Sequence, residues 1–228
     1  MQTQIVGTAN PGAIAPAAQA VDPTFLAARV ALRPLEYAGF GRTLGHYRVA
    51  ASTSAIAPAA NSVMMSARWT DQTSLFVLTR LLVGVTVVTA VTAQRQDPIV
   101  ATIHRAYIVS ETTNITSIVP TANNQKMRTS MGTSGAAQLV VASAAAGITG
   151  GTSTADAQAF GQTSLSPALI GLGTGVPMQE LYVSDSLYGH PPVLTIAEGL
   201  KVLWGPTALA TGTVTVNLVM SWAEVVLF

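Results

Sequence analysis

The chain of 228 residues contains no cysteine. A disulfide, a thiolate nucleophile and a cysteine-ligated zinc ion are therefore excluded. Charged residues are scarce as well, because Asp, Glu, Lys and Arg together make up 9% of the chain, against about 25% in typical soluble proteins. A surface with so few charges repels its neighbours weakly. This favours a subunit of a large assembly over the second interpretation, a neutral secreted β protein.

The formal net charge is only +1, so the sequence indicates neither nucleic acid nor a membrane as a partner. The longest apolar run, 75–91, is interrupted by Arg80 and is rich in Val and Thr. That composition favours a buried strand over a membrane-spanning helix, and Gly84 within the run predicts a bend or bulge. The first 18 residues lack a basic segment followed by an apolar run, so no signal peptide is predicted.

Motifs for catalysis and ligand binding are missing too. The three histidines, His46, His104 and His190, are too far apart in sequence for a local metal motif. No nucleophile elbow, dinucleotide-binding glycine motif or P-loop occurs. We therefore predict no catalytic, cofactor-binding or metal-binding residue, no cofactor and no enzymatic activity. Two alternatives stay open: calcium binding near Asp156 or Asp185, and a sugar-binding platform formed by a tryptophan.

What the sequence does contain is strand periodicity, clearest in 213–225. Hydrophobic residues there alternate with Thr, Asn and Ser, which predicts a strand with one buried face. We expect four side chains of this region to lie in the core: Trp204, Leu218, Met220 and Trp222. Trp204 ends a second predicted strand, 200–204. The Gly- and Pro-containing linker between the two strands predicts an antiparallel hairpin.

Further strands are predicted upstream, at 46–52, 61–70, 75–91, 99–110, 139–142, 157–163, 178–183 and 192–196. The two longest, 75–91 and 99–110, are expected to pair as a hairpin in the middle of the chain, and 111–135 is expected to be a connection. About eight or nine short strands with turn residues between them are typical of a sandwich or barrel. We predict an all-β fold, a jelly-roll-like antiparallel β-sandwich formed by 32–228.

Residues 1–31 are predicted to form an extended N-terminal arm, because their prolines forbid a continuous helix or a central strand. No Lys or Arg precedes Arg29, so this is not an arm that packages RNA. The arm either docks on a neighbouring subunit or is a free tail. The residues predicted to contact a capsid or another subunit are Pro11, Ile14, Pro16, Val21, Phe25, Arg29 and Arg33.

Six segments of the sequence resemble a group of virion structural proteins of tailed bacteriophages. They are LRPLEYAGFGRTLGHYRVA (32–50), ARWTD (67–71), NNQKMRTSMGT (123–133), TADAQAFG (154–161), PPVLTIAEGLKV (191–202) and TGTVTVNLVMSWAEV (211–225). None of them is a catalytic signature. The resemblance implies a jelly-roll decoration or accessory protein of the phage particle and does not cover the arm.

From this resemblance and the low charge we expect a decoration or cement protein that binds the exterior of the capsid and stabilises the shell. Its partners would be the major capsid protein and copies of itself, most simply as a trimer, and its location the capsid surface of the virion. The alternative is a tail, neck or fibre component, including a receptor-binding protein, for which Tyr182, Tyr188 and His190 suggest a loop. An enzyme that degrades glycans would need clustered acids, which the sequence does not indicate.

Overall fold

A computed structural model of the chain describes residues 43–92, 96–118, 126–127, 131–166, 175–184 and 191–226. Within these residues every regular element is a β-strand. The strands are β1 Thr43–Ser52, β2 Val63–Trp69, β3 Ser74–Thr89, β4 Asp97–Val109, β5 Ile115–Ile118, β6 Ala136–Ala142, β7 Thr152–Ala155, β8 Gly161–Leu165, β9 Gly175–Val183, β10 Val193–Leu194, β11 Glu198–Trp204 and β12 Thr213–Val226.

These strands form two antiparallel sheets. The first sheet has the order β1-β12-β3, and both β10 and β9 pair with the remaining edge of β3. The second sheet has the order β5-β6-β2-β11-β4, and both β8 and β7 pair with the remaining edge of β4. Two strands therefore pair one after the other along the edge of β3, and two others do so along the edge of β4.

The connectivity is that of a jelly roll. From β1 to β4 the chain changes sheet at every step, and it changes again from β11 to β12. With β7 and β8 counted as one strand, and β9 and β10 as another, four strands of each sheet form the two Greek keys of that fold. The pair β5 and β6 extends the second sheet beyond β2. The predicted jelly-roll-like β-sandwich is confirmed, while the predicted arm, 1–31, lies outside the described residues.

The core lies between the two sheets and is lined by the alternating faces of their strands. In β12 the even-numbered side chains from Val214 to Trp222 point inward and are at most 1% exposed. The four predicted core residues, Trp204, Leu218, Met220 and Trp222, all belong to this buried cluster. The alternation of β12 follows from its sequence, since Val and Thr suit a half-buried pleated strand.

Aromatic rings join the two sheets at one end of the core. The ring of Trp222 in β12 stacks on Tyr47 of β1 and on Phe76 of β3, each with centroids 5.5 Å apart. Phe76 in turn contacts Trp69 of the second sheet, at 5.7 Å and a tilt of 60°. Rings in these offset and tilted arrangements add to the stability gained by burial alone.

Both predicted hairpins are wrong. β11 lies between β2 and β4 in the second sheet, whereas β12 lies between β1 and β3 in the first. β3 and β4 are likewise in different sheets. Alternation shows which face of a strand is buried but does not identify its neighbour. Gly and Pro mark a crossover between sheets as readily as a hairpin turn.

Two short strands, β5 and β7, were not predicted, because their Thr- and Ser-rich sequences resemble loops. The irregularity expected at Gly84 is present, since the pairing of β3 with β9 shifts register between Val83 and Val85. A Cβ at Gly84 would lie 2.8 Å from the Sδ of Met178. In the described part of the chain, no helix is long and apolar enough to cross a membrane.

Candidate functional site

Two buried glutamates are the most unusual chemical groups of the described residues. Glu111 and Glu224 are each only 2% exposed. Carboxylates are rarely buried to this extent unless they are paired or hydrogen-bonded. Glu111 lies on the outer side of the second sheet, and Glu224 lies beside the aromatic cluster in the core. Among the described residues, a reactive site would therefore be expected around these two glutamates.

Close to the first glutamate, the end of β4 is irregular, because its pairing with β7 shifts register between Arg105 and Val109. Ala106 has a φ of 48°, in the left-handed region that non-glycine residues rarely adopt. Behind it, the Tyr107 ring lies over Gly199 of β11, where a Cβ would come within 2.6 Å of the ring. Glycine at 199 thus makes room for the tyrosine. Lys201 points to the same outer side, because its neighbours Leu200 and Val202 face the core.

Glu111 is saturated by donors of three kinds. Its Oε1 lies 2.6 Å from the Nζ of Lys201 and accepts a hydrogen bond of 2.6 Å from the Tyr107 hydroxyl. Its Oε2 accepts a bond of 2.7 Å from the backbone N–H of Gly151. The Tyr107 hydroxyl also lies 2.7 Å from the Oγ of Ser66. We call Ser66, Tyr107, Glu111 and Lys201 the outer ion-pair cluster.

The ionisation of this cluster follows from its contacts. Burial alone would raise the pKa of Glu111, but the hydrogen bonds from Lys201, Tyr107 and Gly151 outweigh it and lower that pKa. Burial, and then the bond to Glu111, raise the pKa of Tyr107. Lys201 also lies 4.8 Å from the centroid of the Tyr107 ring. Near neutral pH the cluster is therefore a charged pair covered by a neutral phenol.

His104 lies beside this cluster and has a hydroxyl group within reach of each ring nitrogen. Its Nδ1 is 2.9 Å from the Oγ of Ser153, and its Nε2 is 3.2 Å from the Oγ1 of Thr102. Burial, and then the charge of Lys201, lower the pKa of His104 to about 4. Such a weak base takes up a proton poorly near neutral pH, and its second nitrogen faces a hydroxyl rather than a carboxylate. The arrangement therefore does not support nucleophilic catalysis.

The second glutamate has only neutral donors. Its Oε1 accepts hydrogen bonds from the Oγ of Ser134 at 2.6 Å, from the N–H of Gly135 at 3.1 Å and from the Nε1 of Trp222 at 3.1 Å. Within the described residues, no Lys, Arg or His forms an ion pair with it. Burial therefore dominates and raises the pKa of Glu224. Burial, and then the nearby charge of Glu224, raise the pKa of Tyr47 to about 12.

Several other charges of the described surface form ion pairs. Arg105 pairs with Asp156 at 3.1 Å and also with Glu198, and Arg80 lies 3.9 Å from Glu180. Asp156, one of the two possible calcium ligands, is thus an ion-pair partner, and Asp185 lies outside the described residues. No cluster of three or more potential metal ligands occurs where the structure describes the chain.

The remaining predicted residues divide into three groups. The four core residues are buried, as described above. Tyr182 of the suggested receptor loop is in β9 and packs edge-on against Phe160, with centroids 5.8 Å apart. The others lie outside the described residues: Pro11, Ile14, Pro16, Val21, Phe25, Arg29, Arg33, Tyr188 and His190.

Sequence reasoning missed both glutamates. For Glu224 a signal existed, because it shares the even parity of Val214, Leu218 and Trp222 on the inward face of β12. For Glu111 no local signal existed, since the Thr- and Asn-rich segment around it resembles a surface loop.

No protein-family model, no curated protein and no solved structure matches this chain.

Proposed function

We propose that this protein is a structural subunit of a tailed-bacteriophage virion, a decoration protein that binds the exterior of the capsid and stabilises the shell. The proposal rests on the sequence resemblance and on the low charge. It is a non-enzymatic role. The geometry is consistent with it, because the titratable groups of the outer ion-pair cluster are used to hold the fold together.

The observation that carries the proposal is the outer face of the first sheet. Three neighbouring strands present Ala50, Val219 and Leu82 in one row across it. The next row contains Ser52 and Asn217, whose side chains are hydrogen-bonded at 2.7 Å. These residues alternate with core-facing ones such as Leu218, so they point away from the core. The centre of this face is uncharged, whereas Glu180 of β9 ends the first row and the row on the other side contains Arg48 and Arg80. Such a centre can pack against a neighbouring protein while few charges are desolvated.

Attachment through such a face would be weak for one copy and strong for many. Linked copies gain affinity by effective concentration, so self-association, most simply as a trimer, would strengthen binding to the major capsid protein. Few charges are available to be screened, so binding should depend little on salt. The arm, 1–31, is proposed to contribute further contacts.

The test uses phage particles from which the protein has been stripped. Full-length protein should co-sediment with them at low and at high salt, and should raise the temperature at which the shells disrupt. Removal of residues 1–24 should weaken binding if the arm docks. If the protein instead fails to bind capsids and is found on purified tails, the decoration role is wrong and a tail, neck or fibre role replaces it.

A pair of variants tests the face itself. Ala50→Glu places a charge in the exposed row of the first sheet, whereas Thr116→Glu places one on the exposed edge strand β5 of the second sheet. Ala50→Glu should weaken co-sedimentation and Thr116→Glu should leave it unchanged. Equal effects of the two variants would contradict attachment through the first sheet.

A further inference from the structure

Residues 131–135, which we call the clasp segment, connect the edge of the first sheet to β6 of the second. The Sδ of Met131 accepts a hydrogen bond of 3.2 Å from the backbone N–H of His46, and the carbonyl of Gly132 accepts one of 3.0 Å from the Tyr47 hydroxyl. Ser134 and Gly135 then both donate to Glu224. The segment is thus held by β1 at its start and by one carboxyl group of β12 at its end.

That carboxyl group is in an environment that opposes its charge. Glu224 is 2% exposed, and its hydrogen-bond donors are a hydroxyl, an amide and an indole, none of which carries a charge. A buried carboxylate without a cation is strongly disfavoured relative to a hydrated one. Opening of the clasp segment would let water reach Glu224 and would remove this penalty.

The titratable groups that the structure describes around Glu224 supply no cation. From β1 comes Tyr47, which is neutral below its pKa of about 12. From the turn between β2 and β3 comes Asp71, whose negative charge acts against ionisation of Glu224. Asp71 is close, because a Cβ at Gly135 would lie 2.8 Å from its Oδ2. The opposing residue on β3 is Phe76, which has no charge.

We propose that Glu224 and the clasp segment form a pH-sensitive device, in which protonation of Glu224 keeps the segment closed and ionisation of Glu224 favours its release. The sign follows from linkage. In the closed state the carboxyl group binds its proton more tightly than it does when hydrated in the open state, so the closed state loses stability as pH rises above the ordinary range of glutamate. Opening would uncover Tyr47 and the Trp222 ring stacked on it. This inference does not depend on the proposed virion role.

Hydrogen–deuterium exchange of the full-length protein tests the device, with rates corrected for the intrinsic effect of pH. Amides of the clasp segment should lose protection severalfold between about pH 5 and about pH 8. In Glu224→Gln, a neutral side chain of the same shape that still accepts the three hydrogen bonds, protection should be independent of pH. The strand residues Leu139–Ala142 of β6 serve as the internal reference for global unfolding.

Two controls isolate Glu224. Histidines in general titrate in this pH range, so His46→Gln should retain the pH dependence of the clasp segment. Ser134→Ala should lower protection of the segment at every pH, because one bond to Glu224 is lost. The proposal is overturned if protection in the unmodified protein is the same at both pH values. It is also overturned if Glu224→Gln keeps the slope, or if the slope disappears in His46→Gln.

Discussion

Glu111 and Glu224 are equally buried, yet their surroundings drive their ionisation in opposite directions. Glu111 has the ammonium group of Lys201 at 2.6 Å and a lowered pKa. Glu224 has three neutral donors and a raised pKa. The difference shows that depth of burial alone does not set the charge of a buried acid. What decides it is whether the fold places a cation against the carboxyl group.

The two sites also stabilise different parts of the fold. The outer ion-pair cluster fastens the chain just after β4 onto the second sheet, since its members come from β2, β4, β11 and the residues just after β4. The Glu224 site fastens the clasp segment to the first sheet and adjoins the rings between the sheets. A cation therefore contacts Glu111, whereas none of the described residues places one against Glu224, which lies beside the aromatic rings of the core.

The largest effect is expected when the cation is removed from the outer cluster. Lys201→Met should lower the free energy of unfolding by about 3–5 kcal/mol, because it leaves the Glu111 carboxylate buried without its partner. Urea denaturation followed by tryptophan fluorescence measures this. The double variant Lys201→Met with Glu111→Gln removes both charges and should recover much of the loss. If Lys201→Met alone is as stable as the parent protein, Glu111 is not held as a buried ion.

A loss of similar size, about 3–5 kcal/mol, is expected for Trp222→Ala at the other site. This variant removes a fully buried ring, its stacking on Tyr47 and Phe76, and the indole donor to Glu224. Trp222→Phe serves as the matched control, since it keeps most of the apolar contact but not the indole N–H. A loss below about 1 kcal/mol for Trp222→Ala would be incompatible with the buried position.

The sequence predicts much of the fold but little of these two sites. The strict alternation in β12 correctly predicts a strand and its inward face, because the period of two is a direct consequence of strand geometry. The pairing of strands is not contained in that pattern, which is why β11 and β12 are found in different sheets. The outer ion-pair cluster joins residues as far apart as Ser66 and Lys201. Only the three-dimensional crossing of β2, β4 and β11 brings them together.

Glu111 and Glu224 should also differ in how their contributions to the stability of the protein depend on pH. The pKa of Glu224 is raised in the folded protein, so its contribution is complete below the pKa of an unfolded glutamate and is lost as pH rises through the folded pKa. The pKa of Glu111 is lowered, so its contribution is present above the unfolded pKa and is lost as pH falls through the folded pKa.

Glutamine variants at the two positions should therefore differ in sign. Glu224→Gln is expected to gain about 1 kcal/mol at neutral pH, because folding raises the pKa of Glu224 and glutamine, which does not titrate, avoids the resulting cost in stability. Glu111→Gln is expected to lose about 3 kcal/mol or more at neutral pH, because Lys201 is left without its counter-charge, and the loss should shrink in acid. Thermal denaturation between about pH 4 and about pH 8 measures both. A gain in stability for Glu111→Gln at neutral pH would contradict the conclusion that Glu111 stabilises the fold as a paired carboxylate.

The smallest effect is expected where an ion pair is exposed to solvent. Arg105 and Asp156 are joined at 3.1 Å, but their side chains are 46% and 34% exposed. Asp156→Asn should therefore change the free energy of unfolding by less than about 1 kcal/mol, and added salt should reduce the change further. Arg105 also keeps its pair with Glu198, so the guanidinium group stays neutralised. Urea denaturation at low and high salt checks this. If Asp156→Asn loses as much stability as Lys201→Met, the exposed pair contributes as much to the second sheet as the buried pair of Lys201 and Glu111. That result would contradict the expected difference between the two pairs.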